Sequence, residues 1–120
     1  MTALATVLVL AVAAIHVYIL ILEMFLWRTE RGRRAFGTDQ EFADRSAPLA
    51  ANQGIYNGFL AAGLVWGAIA ADPVGFQVRV FFLGCVIVAG VYGALTVNRR
   101  ILVVQAAPAI IALAVVLLTR

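Results

Sequence analysis

Hydrophobic residues occur in long, nearly continuous runs along this chain, and short polar segments separate the runs. A membrane helix needs about 20 predominantly apolar residues. Four runs approach that length, at about residues 3–27, 49–71, 76–97 and 101–118. We therefore expect one all-α domain over residues 1–120, a four-helix transmembrane bundle with short links and antiparallel neighbours. Only the link at residues 28–48 is of appreciable size.

Local signals refine these limits. Pro48 suits the first turn of span two, and Asp72-Pro73 indicates a tight turn after it. Within the 28–48 link, Thr38-Asp39-Gln40-Glu41 matches a capping box and predicts a short surface helix. A solvated charged loop lying on lipid headgroups fits that link equally well. Pro108 is expected to bend span four and to free a backbone carbonyl near Gln105.

The composition favours a membrane as the solvent. Hydrophobic residues make up 64% of the chain and charged residues 12%, whereas soluble domains have about 25% charged residues. The first run continues to residue 27 without a basic segment before it, so we interpret it as a membrane helix and not as a signal peptide. With Cys85 as the single cysteine and one histidine, no disulfide, metal site or other cofactor is predicted within one chain.

The basic residues predict an orientation. All nine are arginines, and seven lie in the links after spans one and three: Arg28, Arg31, Arg33, Arg34, Arg45, Arg99 and Arg100. The positive-inside rule places both links in the cytoplasm and both termini outside, in the bacterial cytoplasmic (inner) membrane. Because the arginines lie at loop ends, membrane lipids are the expected partner and nucleic acid is not.

The polar residues of all four spans fall near the same, cytoplasmic side. Glu23 is about 6 Å from the cytoplasmic end of span one, and His16 lies on the same face about 10 Å deeper. Polar groups in a bilayer usually face a bundle interior or a cavity. We predict a polar pocket that opens to the cytoplasmic leaflet. Its candidate ligand-binding residues are His16, Glu23, Asn52, Gln53, Tyr56, Asn57, Tyr92, Thr96 and Gln105.

Each of these residues also has a structural interpretation, because amides and hydroxyls often join membrane helices. His16 alone is more often a core histidine than a catalyst. Glu23 is the exception, since a carboxylate inside a membrane helix is by default functional. The glycine pairs Gly54/Gly58 and Gly63/Gly67, with Gly90 and Gly93, indicate close helix approach and also suit a homodimer through glycine-rich faces.

Several segments resemble a known family. They are His16-Val-Tyr-Ile, Leu22-Glu-Met, Asn52-Gln-Gly-Ile-Tyr-Asn-Gly-Phe-Leu-Ala, Ala89-Gly-Val-Tyr-Gly-Ala and Gln105-Ala-Ala-Pro-Ala. Together they are similar to small bacterial integral membrane proteins catalogued as domain of unknown function 1304. The resemblance covers essentially the whole chain and implies four membrane helices, but it brings no established activity.

Three functions fit the predicted pocket. The first is binding or proton-coupled transport of a small lipophilic solute, with Glu23 exchanging a proton and His16 extending the relay inward. The second is a membrane-embedded enzyme of isomerase or cyclase type on a lipid or isoprenoid, with Glu23 and His16 as candidate acid and base. The third is a structural or regulatory membrane subunit. Whether the protein is an enzyme stays open at this stage.

Overall fold

The computed structural model describes residues 1–120, and the chain is helical with no strand. The helices are α1 (Ala3–Met24), α2 (Glu30–Phe36), α3 (Gln40–Ile69), α4 (Val74–Thr96), a π-helical segment (Leu102–Ala106) and α5 (Ala107–Leu118). The predicted all-α class is confirmed. The chain divides into two units, Met1–Ile15 with Leu60–Arg120, and His16–Phe59.

The first unit has a core of small and branched apolar side chains. Its fully buried members are Ala5, Val9, Leu64, Leu83, Val86, Ala109 and Ala112. Within this unit α4 packs against the π segment and α5. The segment that follows α4 runs antiparallel to it, because Gly90 of α4 lies against Ala106 and Gly93 lies against Ile101. The short link after α4 therefore produces the antiparallel neighbours that the sequence predicts.

The π segment lies directly before Pro108. Proline has no N–H, and its ring clashes with the carbonyl of the residue four positions earlier. The chain accommodates this by widening the preceding turn, so that the N–H of Ala107 donates to the carbonyl of Leu102, five residues back. The disturbance expected near Gln105 thus takes the form of a π turn that includes this residue.

The second unit contains the end of α1, the short α2 and the start of α3. Thr29 caps α2 by accepting a hydrogen bond from the Gly32 N–H, and Gly37 ends the helix in the left-handed conformation at φ 68°. Next to it, the Trp27 ring packs against Phe36 with centroids 4.9 Å apart. The Trp27 indole N–H also donates to Ser46 Oγ at 3.0 Å. These contacts hold the link against the first turns of α3.

Three boundaries differ from the sequence prediction. Helix α1 ends at Met24 rather than near residue 27, and α3 begins at Gln40 rather than near Leu49. Asp39 caps α3, because its carboxylate accepts from the Phe42 N–H at 2.7 Å. The capping signal therefore starts the long helix itself, and Pro48 lies inside that helix. The short surface helix of the link is α2, which lies before the predicted position.

Two helices, α1 and α4, are long and apolar enough to cross a membrane. Only 28% and 22% of their most apolar stretches are buried within the chain, whereas the core helix of a soluble protein would be mostly buried. Large apolar side chains such as Leu4, Phe81 and Leu95 lie on the exposed surface instead. The residues from Leu102 to Leu118 form a shorter apolar stretch. These features suggest membrane association.

Candidate functional site

The most specific polar contact in the second unit joins Glu23 on α1 to Asn57 on α3. The amide Nδ2 of Asn57 donates to Glu23 Oε1 at 2.6 Å. The same nitrogen donates to the backbone carbonyl of Gln53 at 3.2 Å, one turn earlier in α3. Both amide hydrogens of Asn57 therefore have acceptors, so the orientation of this side chain is fixed. Glu23 and Asn57 are both half-buried.

Glycines bring α1 and α3 close enough for this contact. A Cβ on Gly58 would lie 2.9 Å from Leu20 Cδ1, and one on Gly54 would collide with Met24 and lie 3.3 Å from the Leu20 carbonyl oxygen. The predicted close approach at Gly54-x-x-x-Gly58 is thus made inside the chain, by α3 against α1. Asn57 lies between these glycines in sequence, so its short side chain can reach the carboxylate on α1.

His16 is fully buried and is among the largest buried side chains of the chain. It precedes Glu23 by seven residues, which corresponds to about 10 Å along a helix and nearly the same angular position. That separation is too long for a direct hydrogen bond between the two side chains. A proton passing between them would need an intervening water or solute.

The remaining candidates of the second unit lie around this contact on α3. Asn52, Gln53 and Tyr56 are exposed, and the Tyr56 ring packs edge-on against Phe59 with centroids 5.9 Å apart. Among these candidates on α3, Asn57 is the one that turns inward, toward Glu23. A ligand at Glu23 would meet these side chains only if it extended along the surface of α3.

The other three candidates belong to the first unit. Tyr92 is 69% exposed on α4, and Thr96 donates its hydroxyl to the Tyr92 carbonyl at 2.7 Å. Gln105 is half-buried within the π segment. Their joining the Glu23 site stays a prediction from the sequence.

Arg79 is a buried charged residue to which the sequence reasoning assigned no role. It is 3% exposed on α4. Its Nη1 donates to the Gly67 carbonyl at 2.8 Å, and its Nη2 forms an ion pair with Asp72 at 3.1 Å. The Nε of Arg79 is buried without a hydrogen-bond partner. An arginine within an apolar run is the signal that would have indicated it, because such residues are costly unless paired.

The chemistry available at the Glu23 site is that of a carboxylate, an amide and a buried imidazole. No nucleophile adjoins them, since Ser46 is engaged by the Trp27 indole and by the Phe42 carbonyl, to which it donates. Cys85 lies on α4 in the first unit. No cluster of three or more His, Cys, Asp and Glu residues in the chain is arranged to hold a metal ion. Proton exchange and hydrogen bonding to a ligand are what this arrangement supports.

The fold and the site define a class: small all-helical proteins with apolar, outward-facing helices and a half-buried acid–amide contact. The profile of a family described as "Protein of unknown function (DUF1304)" matches residues 10–117, so the chain belongs to this family. It is also similar to the "Uncharacterized protein YpaA" of Lactococcus lactis subsp. lactis (strain IL1403), with 36% identity over 115 residues, covering 94% of this chain and 96% of that protein. No solved structure matches the chain.

Proposed function

We propose that this protein is a four-span membrane protein whose Glu23 site binds a small lipophilic solute and transports it in exchange for a proton. The single observation that carries this proposal is the 2.6 Å hydrogen bond from Asn57 to the Glu23 carboxylate on an otherwise apolar helix. A carboxylate is expensive inside a membrane helix, and a purely packing role would be met by an apolar side chain.

The membrane part of the proposal is supported by the outward-facing apolar side chains and by the arginine distribution. Helices α1 and α4 provide two spans. The C-terminal part of α3 and the stretch from Leu102 to Leu118 would provide the others, the last having a length of about 25 Å at 1.5 Å per residue. The positive-inside rule then places both termini outside and the links after α1 and α4 in the cytoplasm.

Protonation would change what the site can bind. An ionised Glu23 accepts hydrogen bonds at both carboxylate oxygens, whereas a protonated Glu23 donates through one oxygen and keeps the other as an acceptor for Asn57. A solute that offers one donor can replace the Asn57 amide at the ionised carboxylate and is released when a proton takes its place. Proton and solute thus compete for the same oxygen atoms. His16, about one and a half to two turns deeper, would extend proton access toward the membrane interior.

The experiment is mass spectrometry of small molecules that the protein retains after mild purification from its native membrane. We expect a specific lipophilic compound in the wild type that Glu23→Gln loses. The matched control is Glu41→Gln, the same chemical change at an exposed position in the first turn of α3. A compound retained equally by wild type and Glu23→Gln would refute a ligand role for Glu23 and favour the structural-subunit alternative.

A second measurement separates transport from the enzymatic alternative. Once a retained compound is known, the protein is reconstituted in vesicles that enclose a pH-sensitive dye, and the compound is added outside. Transport predicts a proton flux that depends on Glu23 and leaves the compound chemically unchanged. Conversion of the compound to an isomer without proton flux would instead establish the membrane-embedded acid/base enzyme.

A further inference from the structure

A cluster of arginines follows α1 in the second unit, and it has one member in an unusual position. The cluster consists of Arg28, Arg31, Arg33 and Arg34, and Glu30 is the only acidic residue between Arg28 and Phe36. Glu30 forms an ion pair with Arg34 at 2.7 Å. Arg31 has no acidic partner in the chain, although it lies next to that pair.

Arg31 turns back along α1 instead of extending into solvent. Its Nε donates to the hydroxyl of Tyr18 at 3.1 Å, and its guanidinium carbon lies 5.7 Å from the centroid of the Tyr18 ring. Tyr18 precedes the end of α1 by six residues, which is about 9 Å of helix. The cation is therefore held beside the C-terminal part of α1.

The surface around Tyr18 is apolar and faces away from the rest of the chain. Val17 and Ile21 on α1 are exposed, as is Phe25 directly after the helix, to 69%. A guanidinium group fixed against such a surface gains little in water, where it would be better hydrated. In a bilayer α2 would follow the cytoplasmic end of α1, so the arginines of the cluster would lie near the lipid phosphates and Arg31 would reach from there along α1.

An open cleft of about 480 Å³ lies at this position, lined by Glu30, Arg31 and Arg34. Guanidinium groups bind phosphate oxygens through paired N–H donors, and the cleft is wide enough for a headgroup phosphate. We propose that Arg31, oriented by Tyr18, binds the phosphate of an anionic phospholipid of the cytoplasmic leaflet. The acyl chains of that lipid lie along the exposed apolar face of α1.

The charge of the cluster selects an anionic headgroup over a zwitterionic one. Four arginines and one glutamate leave the segment from Arg28 to Phe36 with a net charge of +3. A choline headgroup would bring its own cation next to Arg28 and Arg33, whereas a glycerol headgroup would not. The carboxylate of Glu30 repels a bound phosphate. Its ion pair with Arg34 neutralises part of that repulsion and therefore influences the affinity of the site. This inference rests on the membrane insertion assumed in the proposed function, but not on the Glu23 site.

The test is native mass spectrometry of the full chain released from vesicles that contain equal amounts of phosphatidylglycerol and phosphatidylcholine. We expect the wild type to retain phosphatidylglycerol in preference to phosphatidylcholine. Arg31→Gln should reduce that preference about fivefold to tenfold, since one arginine near a membrane surface contributes about that factor. Tyr18→Phe keeps the net charge and should also reduce the preference, because it removes the group that orients Arg31. Glu30→Gln should increase it.

Arg45→Gln is the matched control, because it removes the same charge from an exposed position on α3 outside the cleft. If Arg45→Gln lost as much of the preference for phosphatidylglycerol as Arg31→Gln, the preference would come from general surface charge, and the proposal would be overturned. Unchanged retention in Arg31→Gln would overturn it as well. Displacement of the retained lipid by inorganic phosphate would assign the cleft to a free anion instead.

Flotation of the same vesicles separates failure of this site from failure of the proposed function. A chain that does not float with the vesicles is not inserted, and both proposals fall. If the chain floats and Arg31→Gln has no effect, only the lipid site falls. Glu23→Gln should retain phosphatidylglycerol as the wild type does; a loss there would show that the two sites are one and overturn the separate assignment of Arg31.

Discussion

The amide of Asn57 and the carboxylate of Glu23 meet at 2.6 Å, although 34 residues separate them in sequence. The contact is made possible by the glycines at positions 54 and 58, which let α3 approach α1. It is a side-chain hydrogen bond between α1 and α3 of the second unit. Its energetic contribution can be measured directly.

We expect strong coupling between these two residues in a double-mutant cycle. Asn57→Leu leaves a half-buried carboxylate without its donor and should lower the free energy of unfolding by about 1–3 kcal/mol. Glu23→Leu removes the acceptor and leaves the amide unpaired. The double variant removes both and should therefore cost less than the sum of the two single changes. Unfolding is followed by circular dichroism in mixed micelles.

Gln53→Leu is the control for this cycle, since the Gln53 side chain is exposed and its backbone carbonyl, which accepts from Asn57, is retained. Its effect should stay within about 0.5 kcal/mol. If the Glu23 and Asn57 variants proved additive, the short distance would contribute nothing to stability, and the argument for a fixed site would lose its basis.

Two glycines on α4 should respond oppositely to the same substitution. A Cβ on Gly90 would lie 2.8 Å from the backbone nitrogen of Ala106, whereas Gly84 has open space around it. Gly90→Ala should therefore destabilise the protein by about 1–3 kcal/mol, because a backbone must shift. Gly84→Ala should be neutral or stabilise by up to about 1 kcal/mol, because alanine is the better helix former. Thermal unfolding of both variants checks this.

The Gly84 result also tests whether a homodimer packs along this face of α4. If a second copy packed closely along this face of α4, the added methyl group would weaken the dimer. Sedimentation of Gly84→Ala in detergent should then show more monomer than the wild type. An unchanged oligomeric state together with raised stability would exclude a seam at this glycine.

The positions of the long helices were predictable because apolar length is a strong signal, but their starts were not. Pro48 was interpreted as a helix start, yet α3 begins at Gln40 after the Asp39 cap and continues through Pro48. The π turn before Pro108 is a second example. The sequence predicted that Pro108 would disturb the helix, but it did not predict that the backbone would accommodate the proline by forming a π turn.

The candidate site was predictable only in part. A carboxylate and an amide in apolar helices stand out in any sequence, so Glu23 and Asn57 were identified. Their pairing depends on the rotation of α3 about its axis, which turns Asn57 inward and leaves Gln53 and Tyr56 exposed. Helical spacing alone does not tell which of the residues at positions 53, 56 and 57 faces α1. The contact of Arg31 with Tyr18 likewise depends on the path of the link after α1.

The proposed orientation can be tested by cysteine labelling. In a Cys85→Ala background, Glu41→Cys, at an exposed position, should be protected from a membrane-impermeant maleimide in intact cells, because the segment at residues 28–48 is assigned to the cytoplasm. Thr119→Cys should be labelled, because the C-terminal end is assigned outside. The reversed pattern would invert the topology and place the opening of the Glu23 site at the outer leaflet.

Acid should weaken the link between α3 and α4 through Asp72. The hydrogen bond from Arg79 holds the pKa of the Asp72 carboxyl below its ordinary value of 3.8, with further help from the charge of Arg79. Because the folded-state pKa is lower than the unfolded one, this contribution to stability is complete above the ordinary value and is lost as the pH falls through the folded value. The melting temperature of the wild type should therefore fall in that acidic range.

Asp72→Asn should lack this acid-dependent part, because it cannot ionise, and should be less stable than the wild type at neutral pH. The loss follows because the buried guanidinium of Arg79 keeps the Gly67 carbonyl but no longer has its counter-ion. Asp44→Asn, the same change at an exposed aspartate bonded to Gln40, should retain the acid sensitivity of the wild type. Equal pH profiles for Asp72→Asn and the wild type would show that the Arg79–Asp72 pair does not stabilise the α3–α4 turn.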